Sequence, residues 1–278
     1  MTQPNHDKPT RPSVLGIGGL LAAPLLVGAG VWLLFGGAGP TAAVNAAGAG
    51  SFSSEDRAAI ESIIKDYLVK NPEILIEVQS SLEAKIVQQE AERTKSLVAE
   101  HAKEIYRAPN APVAGNPNGD ITVVEFFDYN CGYCKRGFSD IAKLIETDKN
   151  VRVVFKEFPI LRDESEQAAR VALAARMQGK YWEVHRDLIS TKGLVNEAVG
   201  LKVAEKHGLD IAKLKADMAS AEVTAEIDRV KALAQTLAIN GTPHFLVGDR
   251  AVGGAPENLA EVLEGHVTEL RKSGCAYC

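Results

Sequence analysis

Val124-Glu125-Phe126-Phe127-Asp128-Tyr129-Asn130-Cys131-Gly132-Tyr133-Cys134-Lys135 joins an apolar, β-rich run to two cysteines that open a helical pattern. Ile121 to Phe127 reads as a strand, Phe138, Ile141, Leu144 and Ile145 recur at helical spacing, and Val151 to Phe155 is a second β-rich run. This order predicts a β-α-β unit with a parallel pair of strands. Cys131 then falls near a helix N-terminus, where unsatisfied N–H groups and the helix dipole favour a negative charge. Cysteines so placed have pKa values lowered from ~8.5 to roughly 3.5–7.5, which makes the sulfur a competent nucleophile and a good leaving group. Cys134, one turn along, is within reach. Attack by Cys131 on a disulfide gives a mixed disulfide that Cys134 resolves, and the reverse sequence donates a disulfide.

Downstream, Glu164 to Gln178, Tyr181 to Ile189, Glu197 to His207, Ile211 to Ala219 and Ala221 to Leu237 read as a block of helices. Pro243 to Val247 and Ala251 to Gly254 follow as strands, and Pro256 to Lys272 closes as a helix. The fold class is therefore α/β, in the order β-α-β, helices, β-β-α. Upstream, Pro109, Pro112, Gly115, Pro117 and Gly119 give residues 109–120 the composition of a linker. The 278 residues carry 46% hydrophobic and 24% charged side chains, which excludes global disorder. With 31 Lys+Arg against 36 Asp+Glu, the formal charge of -5 offers no basic field for nucleic acid. The four cysteines form two C-x-x-C pairs, Cys131/Cys134 and Cys275/Cys278, pointing to sulfur chemistry rather than a disulfide framework. A zinc site made from both pairs is the structural alternative; against it, one pair opens a long helix and the other follows the last helix.

With Gly241-Thr242-Pro243-His244-Phe245, the quoted stretch resembles the DsbA-like branch of the thioredoxin superfamily over roughly Ile121 to Lys272. The resemblance implies a thioredoxin fold interrupted by a helical insertion at about 161–238, and a thiol-disulfide oxidoreductase with no cofactor. It implies catalytic roles for Cys131, Cys134, Thr242 and Pro243, with a cis Thr242–Pro243 peptide beside the reactive sulfur presenting backbone to an extended substrate. Glu125 stands in an apolar strand, where a carboxylate is costly without a purpose; the resemblance makes it the buried acid that moves the proton of Cys134. Lys156 is either its partner on the neighbouring strand or a solvated strand end. Tyr133 tunes the potential, contacts substrate or is a merely exposed turn residue, and Lys135 and Arg136 add local positive charge or line a solvated face. Gly132-Tyr133 and Thr242 resemble the isomerase and reductase members, which favours those activities over disulfide donation.

Ser53 to Leu68 and Glu73 to Tyr106 read as two helices, broken at Asn71-Pro72. The narrow stripe Leu75, Val78, Leu82 and Ile86 has no evident local core. Residues 51–108 are therefore read as a helical arm that makes a homo-oligomer, with packing on the chain's own domain as the alternative. This layout resembles the ScsC-like group, whose context is copper tolerance; a copper-handling thiol protein is the rival function. Within 1–50, Lys8 and Arg11 precede the uncharged run Val14 to Phe35, which is read as a cleaved signal peptide or a membrane anchor. Either places the body of the chain in the periplasm, with proteins carrying thiols or disulfides as substrates and a membrane redox partner. For Cys275/Cys278, in 273–278, three readings stay open: a local disulfide, an electron relay to Cys131/Cys134, or a soft-metal site.

Overall fold

Ile121–Phe127 (β2) and Val151–Glu157 (β3) are buried along their whole length, as expected of strands covered on both faces. They pair in parallel, with Glu125 opposite Phe155 and Phe126 opposite Lys156. The computed structural model describes residues 52–278; the run Val14 to Phe35 and the other expectations for 1–50 lie outside the described residues. Among the described residues no helix is long and apolar enough to cross a membrane.

The sheet has five strands in the order β1-β3-β2-β4-β5, with β1 at Val113–Gly115, β4 at His244–Val247 and β5 at Arg250–Gly253. Apart from β2 and β3, every neighbouring pair is antiparallel. Strand β1 was not expected: its three residues lie among the prolines and glycines of 109–120, too short to show a period, and pair with Arg152 to Val154.

Alternation along β2 sorts the core into two sides. Val123 and Phe127 face Ile141 and Leu144 of α3 (Gly132–Thr147) and Leu263 and Val267 of α9 (Leu259–Ser273). Val124 and Phe126 face Val230 and Leu233 of α8 (Ala221–Thr236), together with Val98, Ile105 and Tyr106 of α2 (Glu73–Arg107). Gly137 lets α3 approach α9 closely, since a Cβ there would stand 3.0 Å from a Leu259 methyl. Between β3 and β4 run α4 (Asp163–Met177), α5 (Tyr181–Ser190), α6 (Glu197–Lys206), α7 (Ile211–Met218) and α8, the expected helical insertion.

Helix α1 (Ser54–Lys70) buries none of its residues, and its start is closed by reciprocal hydrogen bonds between Ser53 and Asp56. Helix α2 is exposed over its first turns and packs on the chain's own domain over its last ones. Leu75, Val78, Leu82 and Ile86 are exposed, whereas Val98, Ile105 and Tyr106 are buried against the sheet.

Candidate active site

The N-cap of α3 is Cys131 itself: its Sγ accepts from the backbone N–H of Cys134 at 3.3 Å. On the other side, 3.2 Å away, is the carbonyl oxygen of Thr242, whose peptide bond to Pro243 is cis. Residues 111 apart in sequence are thus brought together by the antiparallel pairing of β4 with β2. A hydrogen bond from the Cys134 thiol, with help from the Cys134 and Tyr133 amides, outweighs burial and lowers the Cys131 pKa to about 6. Cys134 is driven the other way, first by burial, then by its bond to Cys131 and the charge of Glu125. Cys131 keeps 4% of its surface exposed and Cys134 none, so only the first sulfur meets an incoming disulfide.

Glu125 lies on the α3 side of the sheet, buried, and its pKa is raised to about 8 by burial and by the charge of Cys131. This carboxyl holds or releases a proton in the range where Cys131 is ionised, which suits proton exchange with Cys134. Lys156 is not its partner. Opposite Phe126 in the register, it lies on the other face of the sheet, where its Nζ donates to the carbonyl of Glu104 at 2.8 Å. Nor is it a solvated strand end: it is buried, and burial lowers its pKa to about 8 against the pull of Glu226 and Glu104.

Tyr133 is 58% exposed beside the entrance, with the Arg136 guanidinium 4.5 Å from its ring centre. Gly132 has open space where a Cβ would go. Lys135 is fastened away from the sulfur, donating at 2.7 Å to the carbonyls of Thr191 and Gly193 in the insertion. Cys275 and Cys278 are joined to each other in a disulfide and do not enter the Cys131 site. Among the described residues no group of three or more His, Cys, Asp or Glu could hold a metal ion.

Sequence reasoning missed a buried polar cluster around the strand that leads into the site. Tyr129 and Tyr181 donate to one oxygen of Glu157 at 3.0 and 2.9 Å, and Tyr129 Oη is 3.0 Å from His185 Nδ1. Burial raises the Glu157 carboxyl well above its ordinary value and lowers His185 to about 3, which leaves the imidazole neutral at pH 7. Asp128 fixes the same turn, accepting from the amides of Asn130, Ile160 and Leu161. Asn130 ties it to the insertion through Ser165 and Val195. The sequence signal was the polar Asp128-Tyr129-Asn130 directly before Cys131, but the partners lie 28 to 65 residues away.

Residues 122–264 match the profile of the DSBA-like thioredoxin domain, and residues 56–91 match the copper resistance protein ScsC N-terminal domain. A thioredoxin-like oxidoreductase from Silicibacter pomeroyi is 49% identical, with a TM-score of 0.59 over 61% of this chain and 97% of that one. Proteus mirabilis ScsC in a transitional conformation shares the fold at 24% identity, with a TM-score of 0.59 over 80% of this chain and 100% of its own. The Na(+)/H(+) antiporter NhaA 3 of Salinispora tropica is 30% identical over 149 residues, which are 53% of this chain and 23% of that protein. The chain thus spans less than a quarter of the curated relatives it matches.

Proposed function

The chain belongs to the DSBA-like thioredoxin domain family, and we propose that it is a thiol-disulfide oxidoreductase of the DsbA and ScsC type that acts as a disulfide isomerase or reductase on proteins. The observation that carries the roles is the seating of Cys131 Sγ between the Cys134 amide and the Thr242 carbonyl. Cys131 is the nucleophile. Its thiolate attacks one sulfur of the substrate disulfide, forming a mixed disulfide and releasing the other substrate sulfur as a thiolate. Cys134 then gives its proton to the Glu125 carboxylate and attacks Cys131 Sγ. The Cys131–Cys134 disulfide forms and the second substrate sulfur leaves with the electron pair. In isomerisation a different thiolate of the substrate attacks the substrate sulfur of the mixed disulfide first, a new pairing forms, and Cys131 leaves as the thiolate.

The backbone at Thr242-Pro243 lies beside the sulfur where an extended substrate strand would pair, and Tyr133 offers an exposed ring next to it. Gly132-Tyr133 and Thr242 favour the isomerase or reductase direction over disulfide donation. Assembly through residues 51–108 would put several reactive sulfurs on one particle, which an isomerase uses to hold a misfolded substrate; the exposed apolar residues of α1 and α2 support this. We place the protein in the periplasm, released or anchored by 14–35, with a membrane redox partner returning the pair to the dithiol.

Serine variants test the assignment. Cys131→Ser abolishes reduction of a disulfide peptide and refolding of a scrambled substrate, while Cys134→Ser accumulates mixed disulfides separable on non-reducing gels. Normal turnover by Cys131→Ser would remove the exchange reading. Copper handling is the second reading, favoured by the family description that residues 56–91 match. Tight stoichiometric copper(I) binding at Cys131/Cys134 together with negligible peptide exchange would put it first.

A further inference from the structure

The second cysteine pair has no part in the reaction so far, yet its surroundings are ordered. Cys275 packs at the β4–β5 turn: a Cβ on Gly248, where φ is +60°, would be 3.3 Å from Cys275 Sγ. Tyr277 packs against the cluster that holds Ile105 and Tyr106, and Arg107 donates to the carbonyl of Cys278. Both cysteines are thereby held against the edge of the core as half-buried residues. As a staple the bond has little to do, because it closes a ring across a separation of only three residues and so restrains little of the unfolded chain.

We propose that Cys275–Cys278 is a second redox site, a dithiol/disulfide substrate for the Cys131/Cys134 pair of another copy of this chain. Within one folded chain the sheet holds the two pairs apart. Cys131 Sγ touches Thr242, before β4, and Cys275 touches Gly248, after it. Those two contact points are six residues apart along the chain, with the four residues of strand β4 between them, a span of about 15–20 Å. The partner is therefore a second molecule, and the inference rests on thiol-disulfide exchange at Cys131.

The step balances. The Cys131 thiolate of one copy attacks a sulfur of the Cys275–Cys278 bond in the other; that bond breaks as the intermolecular disulfide forms, and the freed sulfur takes a proton from water. Cys134 loses its proton to Glu125 and attacks Cys131, so the Cys131–Cys134 bond forms and the second sulfur is released and protonated. Two electrons pass from the first copy to the second, and the reverse sequence returns them.

The test mixes a reduced donor, Cys275→Ser/Cys278→Ser, with an oxidised acceptor, Cys131→Ser/Cys134→Ser, in the presence of a disulfide peptide. Thiol alkylation and mass spectrometry follow all three. Cys275 and Cys278 of the acceptor are expected to become alkylated as the donor pair oxidises, the acceptor pairs opened and the peptide disulfides reduced together equalling the donor pairs oxidised. A donor that also carries Cys134→Ser should build up a covalent dimer joining Cys131 to Cys275 or Cys278. A peptide that is reduced while the acceptor stays closed overturns the inference and leaves the exchange reading standing; a donor that reduces neither peptide nor acceptor overturns both. In the otherwise unaltered chain, one equivalent of dithiol reductant should open Cys275–Cys278 at least about tenfold faster than in Cys131→Ala. Equal rates in the two would likewise count against the relay.

Discussion

At position 131 a sulfur is ionised at a pH where a free cysteine is not, because a thiol and amides at the start of α3 outweigh its burial. The rate of attack on a disulfide peptide should therefore rise with pH through a midpoint of about 6 and be flat above about 7. A midpoint near that of free cysteine would show that the helix start does not hold the thiolate. Glu125 makes an opposite demand on stability. Between its ordinary pKa of 4.5 and its folded value of about 8, the folded chain keeps a proton that the unfolded chain has lost. Stability from this group falls as pH rises through that window. Glu125→Gln should then stabilise the reduced protein by about 3 kcal/mol at pH 7 and by little at pH 4, while slowing resolution of the mixed disulfide about 100-fold. Denaturant melts at the two pH values and stopped-flow release of substrate thiol measure the two effects. These residues were legible because their meaning is local: two cysteines one turn apart, and an acid where the strand pattern wants an apolar side chain. Glu157, Tyr181 and His185 were not, since each looks like an ordinary member of its own strand or helix. Only the packing of α5 and of the turn after β2 against β3 gives the carboxyl its two phenol donors, Tyr181 and Tyr129. Lys156 was misplaced for a related reason, as a neighbouring strand supplies both faces and only the register says which one a residue takes.

Helices and strands whose period spans several turns were readable to within a residue or two, apart from the later start of α9, and the insertion followed from their count and order. The exceptions have physical causes. Strand β1 exists through pairing with β3 and has no pattern of its own. Helix α2 changes its environment along its length, so a single stripe describes only its first half. Its last turns belong to the core: Glu104 and Tyr106 supply the carbonyls that satisfy the buried cations Lys156 and Arg152, at 2.8 and 2.6 Å, and the Tyr106 hydroxyl donates to Gly248. A chain starting at Thr94 should melt cooperatively with exchange activity intact. One starting at Ala108 loses the buried side chains Val98, Ile105 and Tyr106, at a cost of at least about 5 kcal/mol, and leaves both cations without acceptors. Circular dichroism melts of the two truncations make the comparison; equal melting temperatures would show that 94–107 is dispensable.

For the molecule as a whole, the reactive centre and the arm make separate claims. Ile60, Ile63, Ile64, Tyr67, Leu75, Val78, Leu82 and Ile86 are exposed on α1 and α2, an apolar set that a second copy would cover. Light scattering on residues 51–278 should report a defined oligomer at micromolar concentration, and a chain starting at Thr94 should be a monomer. A monomeric longer chain would favour disulfide donation over isomerisation, because no second active site would then hold the client while Cys131 rearranges it. Helix α2 decides how such an assembly would be built. Its 35 residues run for about 50 Å, bare at one end and cemented into the sheet at the other. The catalytic unit is thus mounted on a strut rather than hung from a tether, and a hub made of such struts would keep its sulfurs at a set clearance, admitting clients that fit the gap and turning wider ones away.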